Sequence, residues 1–376
     1  MLSMILMLTC FVPFQTQALP SADSKLSLDC KSAILMEADT GKILYEQNAE
    51  EALPPASVTK IMTLLLVMEA IDAGCLDYDD TVTASAHACS MGGSQIFLKE
   101  GEQMSVEDMI KSVVIASAND AAVALAEHIA GSEAAFVDQM NRRAKELGME
   151  HTNFENTNGL DDTASNHVTS AKDIAIMSQA LIQYEKITEY SSIWMDTVRN
   201  GEFGLTNTNR LIRFYQGATG LKTGSTAKAG FCISATAERD GMGLICVIMA
   251  APTRDIRNAC AKTLLDWGFA NYGIYAKQGE RLEPIPVKGG VQATCRVSYD
   301  AFQAVVPKGS ISKIVCTVDC PESLSAPIQK GSANGTVTYS LDGITIGTKE
   351  IVAEETVDRI GFWGIVIRIL QIASVS

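Results

Sequence analysis

Pro54-Pro55-Ala56-Ser57-Val58-Thr59-Lys60 runs directly into IMTLLLVMEAIDAG, a stretch apolar nearly all the way round a helix and ended by Gly74. A helix with no polar face has to be wrapped by other elements, so this one feature demands a layered fold with a buried central helix. The prolines end an extended run and fix where the helix begins. Its first turn is thereby held rigidly, and that turn carries Ser57 and Lys60 at i and i+3, on one face. A serine hydroxyl is inert at neutral pH unless a neighbour takes its proton. An amine can do this only if desolvation or nearby positive charge lowers its pKa. An isolated S-x-x-K is a common chance match, so the rest of the chain decides its meaning.

The 376 residues are 47% hydrophobic and 20% charged, which supports a folded core and room for two domains. A net charge of −14 disfavours nucleic acid, whose phosphates need a basic surface, and makes any membrane contact apolar. MLSMILMLTCFVPFQTQALPSADS reads as an export signal over residues 1–18, with Ala18 at a cleavage point, although it lacks the usual basic start. The ten cysteines contain no C-x-x-C pair and the four histidines are scattered, so neither a metal site nor any cofactor is expected. Most of the cysteines fall in apolar patterns and read as buried free thiols.

Segment 31–47 reads as two strands around an Asp39-Thr40-Gly41 turn. Ser105-Val-Glu-Asp108 and Ser170-Ala-Lys-Asp173 are capping-box-like helix starts, and the first is expected to open a long helix reaching Gly131. Within it Asn119 is a mediocre helix former, and a break there would point Ser117 and Asn119 into a cleft. From 219 to 250 the pattern turns to strands around Arg239-Asp240-Gly241, followed by a helix over 254–272. The early hairpin can then complete an antiparallel sheet with the later strands, helices covering its faces: an α+β domain over residues 24–277. Short alternating runs over 280–352 predict a small all-β domain. Over 354–376 the residues Glu354, Asp358, Gly361, Gly364, Arg368 and Gln371 gather on one side of a helix whose other side is broadly apolar. The apolar run is too short to span a bilayer, and an in-plane amphipathic anchor with Trp363 at the interface is expected. A terminal helix docked on the protein itself has the same periodicity.

Two further motifs follow Ser57 and Lys60 in order: Ser117-Ala118-Asn119 within a helix and Lys222-Thr223-Gly224 at the start of a strand. This trio resembles the S-x-x-K, S-D-N and K-T-G of penicillin-binding proteins and class A β-lactamases, with Ser-Ala-Asn in place of S-D-N, a departure that leans away from the lactamases. The chain resembles the D-alanyl-D-alanine carboxypeptidases, low-molecular-mass penicillin-binding proteins, from about Lys31 to Tyr272. Asp39-Thr-Gly-Lys-Ile-Leu-Tyr, Met91-Gly-Gly-Ser-Gln, Asn156-Thr-Asn-Gly-Leu, His167-Val-Thr-Ser-Ala-Lys-Asp and Leu265-Asp-Trp-Gly-Phe carry the likeness beyond the three motifs. The resemblance implies a penicillin-binding-protein-like catalytic domain in which Ser57 is acylated, Lys60 is its base and Ser117 relays a proton. It implies that Asn119 holds the substrate amide, that Lys222 faces the substrate carboxylate, and that Thr223, Gly224 and the backbone of Ser225 line the substrate strand. Arg257 stands where relatives keep a carboxylate-binding arginine, with Arg254 as its rival and a surface arginine as the plain alternative. The implied substrates are peptidoglycan stem peptides ending in D-Ala-D-Ala, with β-lactams as covalent inhibitors, at the outer face of the cytoplasmic membrane.

Three other readings use the same scaffold. A class A β-lactamase needs a carboxylate for its deacylating water, and Glu155 sits at a suggestive place, but the E-x-x-L-N pattern is absent. A D,D-endopeptidase would use the same residues. A non-catalytic wall-binding protein would have no need of an intact Ser57, Lys60, Ser117, Asn119 and Lys222.

Overall fold

In the computed structural model, residues 26–161 and 164–373 are described; the export signal expected over 1–18 lies outside them. The described chain forms two units that meet in sequence at Tyr272 and Gly273.

The first unit is built on a five-stranded antiparallel sheet. Its strands are β1 (Ser32–Glu37), β2 (Ile43–Gln47), β3 (Ala218–Thr226), β4 (Gly230–Arg239) and β5 (Met242–Ala251), in the order β2-β1-β5-β4-β3. The β1–β2 turn closes because the Glu37 carboxylate accepts from Thr40 N at 2.8 Å and Asp39 N at 3.2 Å, with Gly41 at φ +69°. Ile34 pairs opposite Val247 where the N-terminal hairpin joins the later strands. Side chains alternate across the pleat. Ile34, Met36, Ile245, Val247 and Met249 enter the core shared with the helical body, while Leu35 and Leu244 pack against Gly268 on the far face. Burial of both faces explains why GLICVIMAA reads as an unbroken apolar run.

The helical body comprises α1 (Lys60–Asp72), α2 (Val106–Ile115), α3 (Asn119–Ala130), α4 (Glu133–Glu146) and α5 (Ala171–Leu181); α6 (Arg254–Asn271) lies on the far face. Ser105, Ser132, Ser170 and Thr253 cap α2, α4, α5 and α6 by accepting from the backbone three residues on. The single long helix expected from Ser105 to Gly131 is two helices. Ser117 at φ +63° breaks it, a conformation no helix interior accommodates.

The second unit contains a five-stranded antiparallel sheet in the order 280–281, 297–299, 344–353, 333–341 and 314–319. Its core includes Val297, Val337, Ile351 and the stacked rings of Phe302 and Tyr339, 4.0 Å apart. The chain stays extended past Ala353. Val357 bridges Ile328 and is fully buried, and Arg359 bridges Gly290. The terminal helix therefore spans Phe362–Ala373 rather than starting at 354, because the β core claims the side chain of Val357. No helix among the described residues is long and apolar enough to cross a membrane.

The nine described cysteines are free, but burial holds for Cys232, Cys246, Cys260 and Cys295 only. Cys75 follows the Gly74 helix stop, while Cys316 on an edge strand and Cys320 just beyond it are exposed.

Candidate active site

The three motif segments meet beside β3, the edge strand of the sheet. Residues Ala56–Thr59 make a 3-10 turn ahead of α1, so Ser57 sits just before the helix proper and Lys60 is its first residue. Lys60 Nζ donates to Ser57 Oγ at 2.9 Å, to Asn119 Oδ1 at 2.5 Å and to the carbonyl of Asn158 at 2.8 Å. All three partners are neutral.

Ala56 has φ +49°, and two devices hold that conformation in place. Thr59 Oγ1 donates to the Ala56 carbonyl at 2.8 Å, and His167 Nε2 lies 2.7 Å from the same hydroxyl. His167 Nδ1 accepts from Glu155 N at 2.9 Å, which leaves Nε2 as the donor. Burial pushes the imidazole down to about 4, so it is neutral at physiological pH. Gly159 at φ +85° completes the seat: a Cβ there would collide with the Ala56 carbonyl oxygen.

The break between α2 and α3 presents Ser117 and Asn119. Asn119 N donates to the Ser94 carbonyl at 2.7 Å and Nδ2 donates to the Gly92 carbonyl at 2.6 Å, so its Oδ1 is fixed toward Lys60. The next residue, Asp120, is fully buried and accepts from Ile96 N at 3.2 Å and Leu98 N at 3.0 Å, pinning the loop that carries Ser94.

From β3, Lys222 Nζ donates to Ser117 Oγ at 2.7 Å and to the Thr223 carbonyl at 2.9 Å. Thr223 Oγ1 donates to Thr208 Oγ1 at 2.8 Å. Gly224 packs directly on the nucleophile turn, where a Cβ would meet Ser57 N at 2.7 Å and Pro55 O at 2.9 Å. Ser225 follows with its side chain exposed. Arg257 is 3% exposed, not the surface arginine of the plain alternative. Its guanidinium donates to Asn258 Oδ1 at 2.9 Å and to the Cys232 carbonyl at 3.4 Å, with no ion-pair partner among the described residues. Ser57, Ser117, Thr223, Gly224, Ser225 and Arg257 all line one groove of about 700 Å³. Arg254 lines it too.

Charge and burial set the protonation states. Burial holds the Lys60 amine well below the ordinary lysine range, and the neighbouring Lys222 lowers it further against an opposing pull from Asp120. Lys222 is pushed down to about 7, by burial first and Arg257 second. Once neutral, Lys60 has a lone pair next to the Ser57 hydroxyl, the arrangement an activated nucleophile needs. Glu155 is engaged elsewhere: its carboxylate accepts from Ser165 N at 2.7 Å and Asn166 N at 3.0 Å, outside the groove lining.

The structure thus brings together Ser57, Lys60, Ser117, Asn119, Lys222, Thr223, Gly224, Ser225 and Arg257, and leaves Glu155 apart from them. Sequence reasoning missed the supports: Thr59, Asp120 and the imidazole of His167. The Asn119-Asp120 pair, two residues that favour helix starts over helix interiors, was the available signal for the helix break. No local pattern links Thr59 to His167, which meet only through folding.

Two serine–lysine pairs facing one groove beside a free sheet edge define an acyl-transferring serine enzyme of the penicillin-binding class. A family model described as D-alanyl-D-alanine carboxypeptidase matches residues 17–253, and one described as the C-terminal domain of penicillin-binding protein 5 matches residues 274–359. The chain is 43% identical to the D-alanyl-D-alanine carboxypeptidase DacF of Bacillus subtilis, across 90% of this chain and 88% of that one. It is 34% identical to DacC of Escherichia coli, across 95% and 90%. Penicillin-binding protein 5 from Haemophilus influenzae superposes with a TM-score of 0.79 at 31% identity, covering 90% of this chain and 100% of the other. Penicillin-binding protein D2 from Listeria monocytogenes, solved with ampicillin bound, matches 65% of this chain and 100% of its own at 34% identity and TM-score 0.61. The chain belongs to the D-alanyl-D-alanine carboxypeptidase family and is a hydrolase of peptidoglycan metabolism.

Proposed function

We propose that Ser57 removes the terminal D-alanine from peptidoglycan stem peptides through an acyl-enzyme. The peptide lies along the free edge of β3 as an added strand, with the closeness of Gly224 to the turn setting how near it comes. Its terminal carboxylate meets Lys222, Thr223 and Arg257. Neutral Lys60 takes the Ser57 proton as Oγ attacks the carbonyl between the two D-alanines. The backbone N–H groups of Ser57 and Ser225 stabilise the oxyanion, an effect worth about 10²–10³ in rate for one donor. The C–N bond then breaks, and Ser117, hydrogen-bonded to Lys222, relays a proton to the departing amine. Water attacks the ester, Lys60 again takes a proton, and the Ser57 hydroxyl is restored. Asn119 orients both Lys60 and the substrate amide. β-Lactams follow the acylation half of this sequence and are released slowly.

The observation that carries the proposal is the 2.9 Å contact of Ser57 with a buried lysine whose other partners are all neutral. The test is release of free D-alanine from a pentapeptide ending in D-Ala-D-Ala, with intact-mass detection of a penicillin adduct. A folded enzyme that liberates no D-alanine, or a Ser57→Ala variant that keeps the adduct, would end it. Rapid multiple turnover of the lactam would favour a β-lactamase instead.

Residues 24–277 are proposed as the catalytic domain and 280–352 as the heart of the β domain. Export by residues 1–18 places the catalytic unit outside the cell, where its polymeric substrate is. The terminal helix is proposed to lie in the membrane surface, because Phe362, Trp363, Ile365 and Ile367 are 72%, 75%, 46% and 56% exposed. Flotation with vesicles, lost on truncation at Gly361, tests that assignment.

A further inference from the structure

The groove that holds Ser57 is lined by three arginines, Arg210, Arg254 and Arg257, and by no aspartate or glutamate. In a chain of net charge −14 this is a reversal of the overall balance, confined to the substrate site. Other arginines pair with carboxylates, as Arg143 does with Glu69 and Arg199 with Glu102, or stack on rings, as Arg213 does over Trp194 and Phe214. Among the described residues, none of the groove arginines has an ion-pair partner. The three are close enough to repel: burial first, then Arg254 and Arg210, act against the charge of Arg257, with Cys232 and the nearby Asp255 opposing them. Clustered cations that make no ion pair are a cost to the free protein that bound anions relieve. Trp194 and Phe214 stand edge to face, 6.3 Å apart, in the same lining and give the site an apolar wall.

One terminal carboxylate engages Arg257 and leaves Arg210 and Arg254, both exposed, without an anion. The residue before the D-Ala-D-Ala pair stands about 7 Å back along an extended peptide, on the same face as the terminal residue, so a carboxylate on its side chain comes within the reach of long, exposed arginine side chains. We propose that Arg210 and Arg254 form a second anion subsite that selects stem peptides carrying a free side-chain carboxylate on the residue before the D-Ala-D-Ala pair, over the same peptides amidated there. This inference rests on the carboxypeptidase reading and narrows its substrate class.

The test uses two peptides ending in D-Ala-D-Ala that differ only in whether that side-chain carboxylate is free or amidated. The full chain should release D-alanine from the free acid with a kcat/KM about tenfold higher, mostly through KM, the scale of a charge-assisted pair in a partly open site. In the double variant Arg210→Gln/Arg254→Gln the acid-to-amide ratio should fall to about one, and 0.5 M salt should compress it in the wild type as screening shortens the reach of charge to roughly 4 Å. Penicillin adduct formation by the variant confirms that it is folded. Titration of both peptides into Ser57→Ala reads the subsite without turnover and should give the same tenfold ratio in Kd. Equal affinities there, or a ratio that survives the double substitution, would overturn the subsite. Failure to release D-alanine from either peptide would instead overturn the carboxypeptidase reading, while the titration still reports on the arginines.

Discussion

Replacing Gly224 by alanine adds one methyl group to a strand that touches the nucleophile turn through backbone alone. The new carbon would sit 2.7 Å from Ser57 N, 2.9 Å from Pro55 O and 2.9 Å from Val58 N, against ordinary contact from 3.4 Å. No flexible side chain can swing away, so strand and turn must part by up to about 0.7 Å. Overpacking of this kind costs about 1–3 kcal/mol in stability. The larger effect falls on rate, because the displaced group is the Ser57 N–H assigned to the oxyanion. Misplacing a catalytic group by about 1 Å costs about 10²-fold, and losing an oxyanion donor about 10²–10³-fold. Gly224→Ala should therefore slow acylation by a fluorescent penicillin about 10²-fold, followed by gel under single-turnover conditions, while chemical denaturation shows a folded protein. Gly204→Ala, with nothing within 4 Å of its new carbon, is the control and should acylate at the wild-type rate. Wild-type acylation by Gly224→Ala would refute the claim that this backbone spacing sets the rate.

Burial holds His167 at about 4 in the folded protein against 6.5 when free. Between those values the unfolded chain binds a proton that the folded one does not, so stability should fall by about 3 kcal/mol as the pH drops through that window. Urea midpoints at pH 7 and 4.5 measure this, and a His167→Gln variant with the same pH slope as wild type would contradict it. Arg257→Gln should raise KM for a D-alanine-terminated peptide by about 10–100-fold, as expected for loss of a charge-assisted carboxylate contact. Because Arg257 helps hold Lys222 down at about 7, the same variant should move the alkaline limb of the activity profile to higher pH; an unmoved limb argues against that coupling. Under native conditions a thiol reagent should label Cys75, Cys316 and Cys320 quickly, with Cys232, Cys246, Cys260 and Cys295 reacting only after unfolding, which peptide mapping can resolve.

The sequence made the sheet and most helices legible where one period dominated: the apolar run after Lys60, the hairpin at Asp39-Thr40-Gly41, and the three strands from 218 to 251. Ser57, Lys60, Ser117 and Lys222 were legible because each motif is short and local. The split between α2 and α3 was only hinted at by Asn119, a poor helix former, since the apolar pattern continues across Ser117 and a positive φ at one residue breaks it. The start of the terminal helix was misplaced for a related reason. Helical periodicity extends back to Glu354, and tertiary burial of Val357 overrides it. The His167–Thr59 contact spans 108 residues and lay beyond any pattern argument.

The reacting groups arrive from a turn near the start of the first unit, a helix break in its middle and a strand near its end. A newly made chain is thus inert until nearly the whole unit has closed, and on the proposed mechanism cannot act on its substrate while still partly assembled. If Ser57 is acylated as proposed, covalent lactam capture would consequently count mature molecules in a population, serving as a census of folding as much as a measure of enzyme.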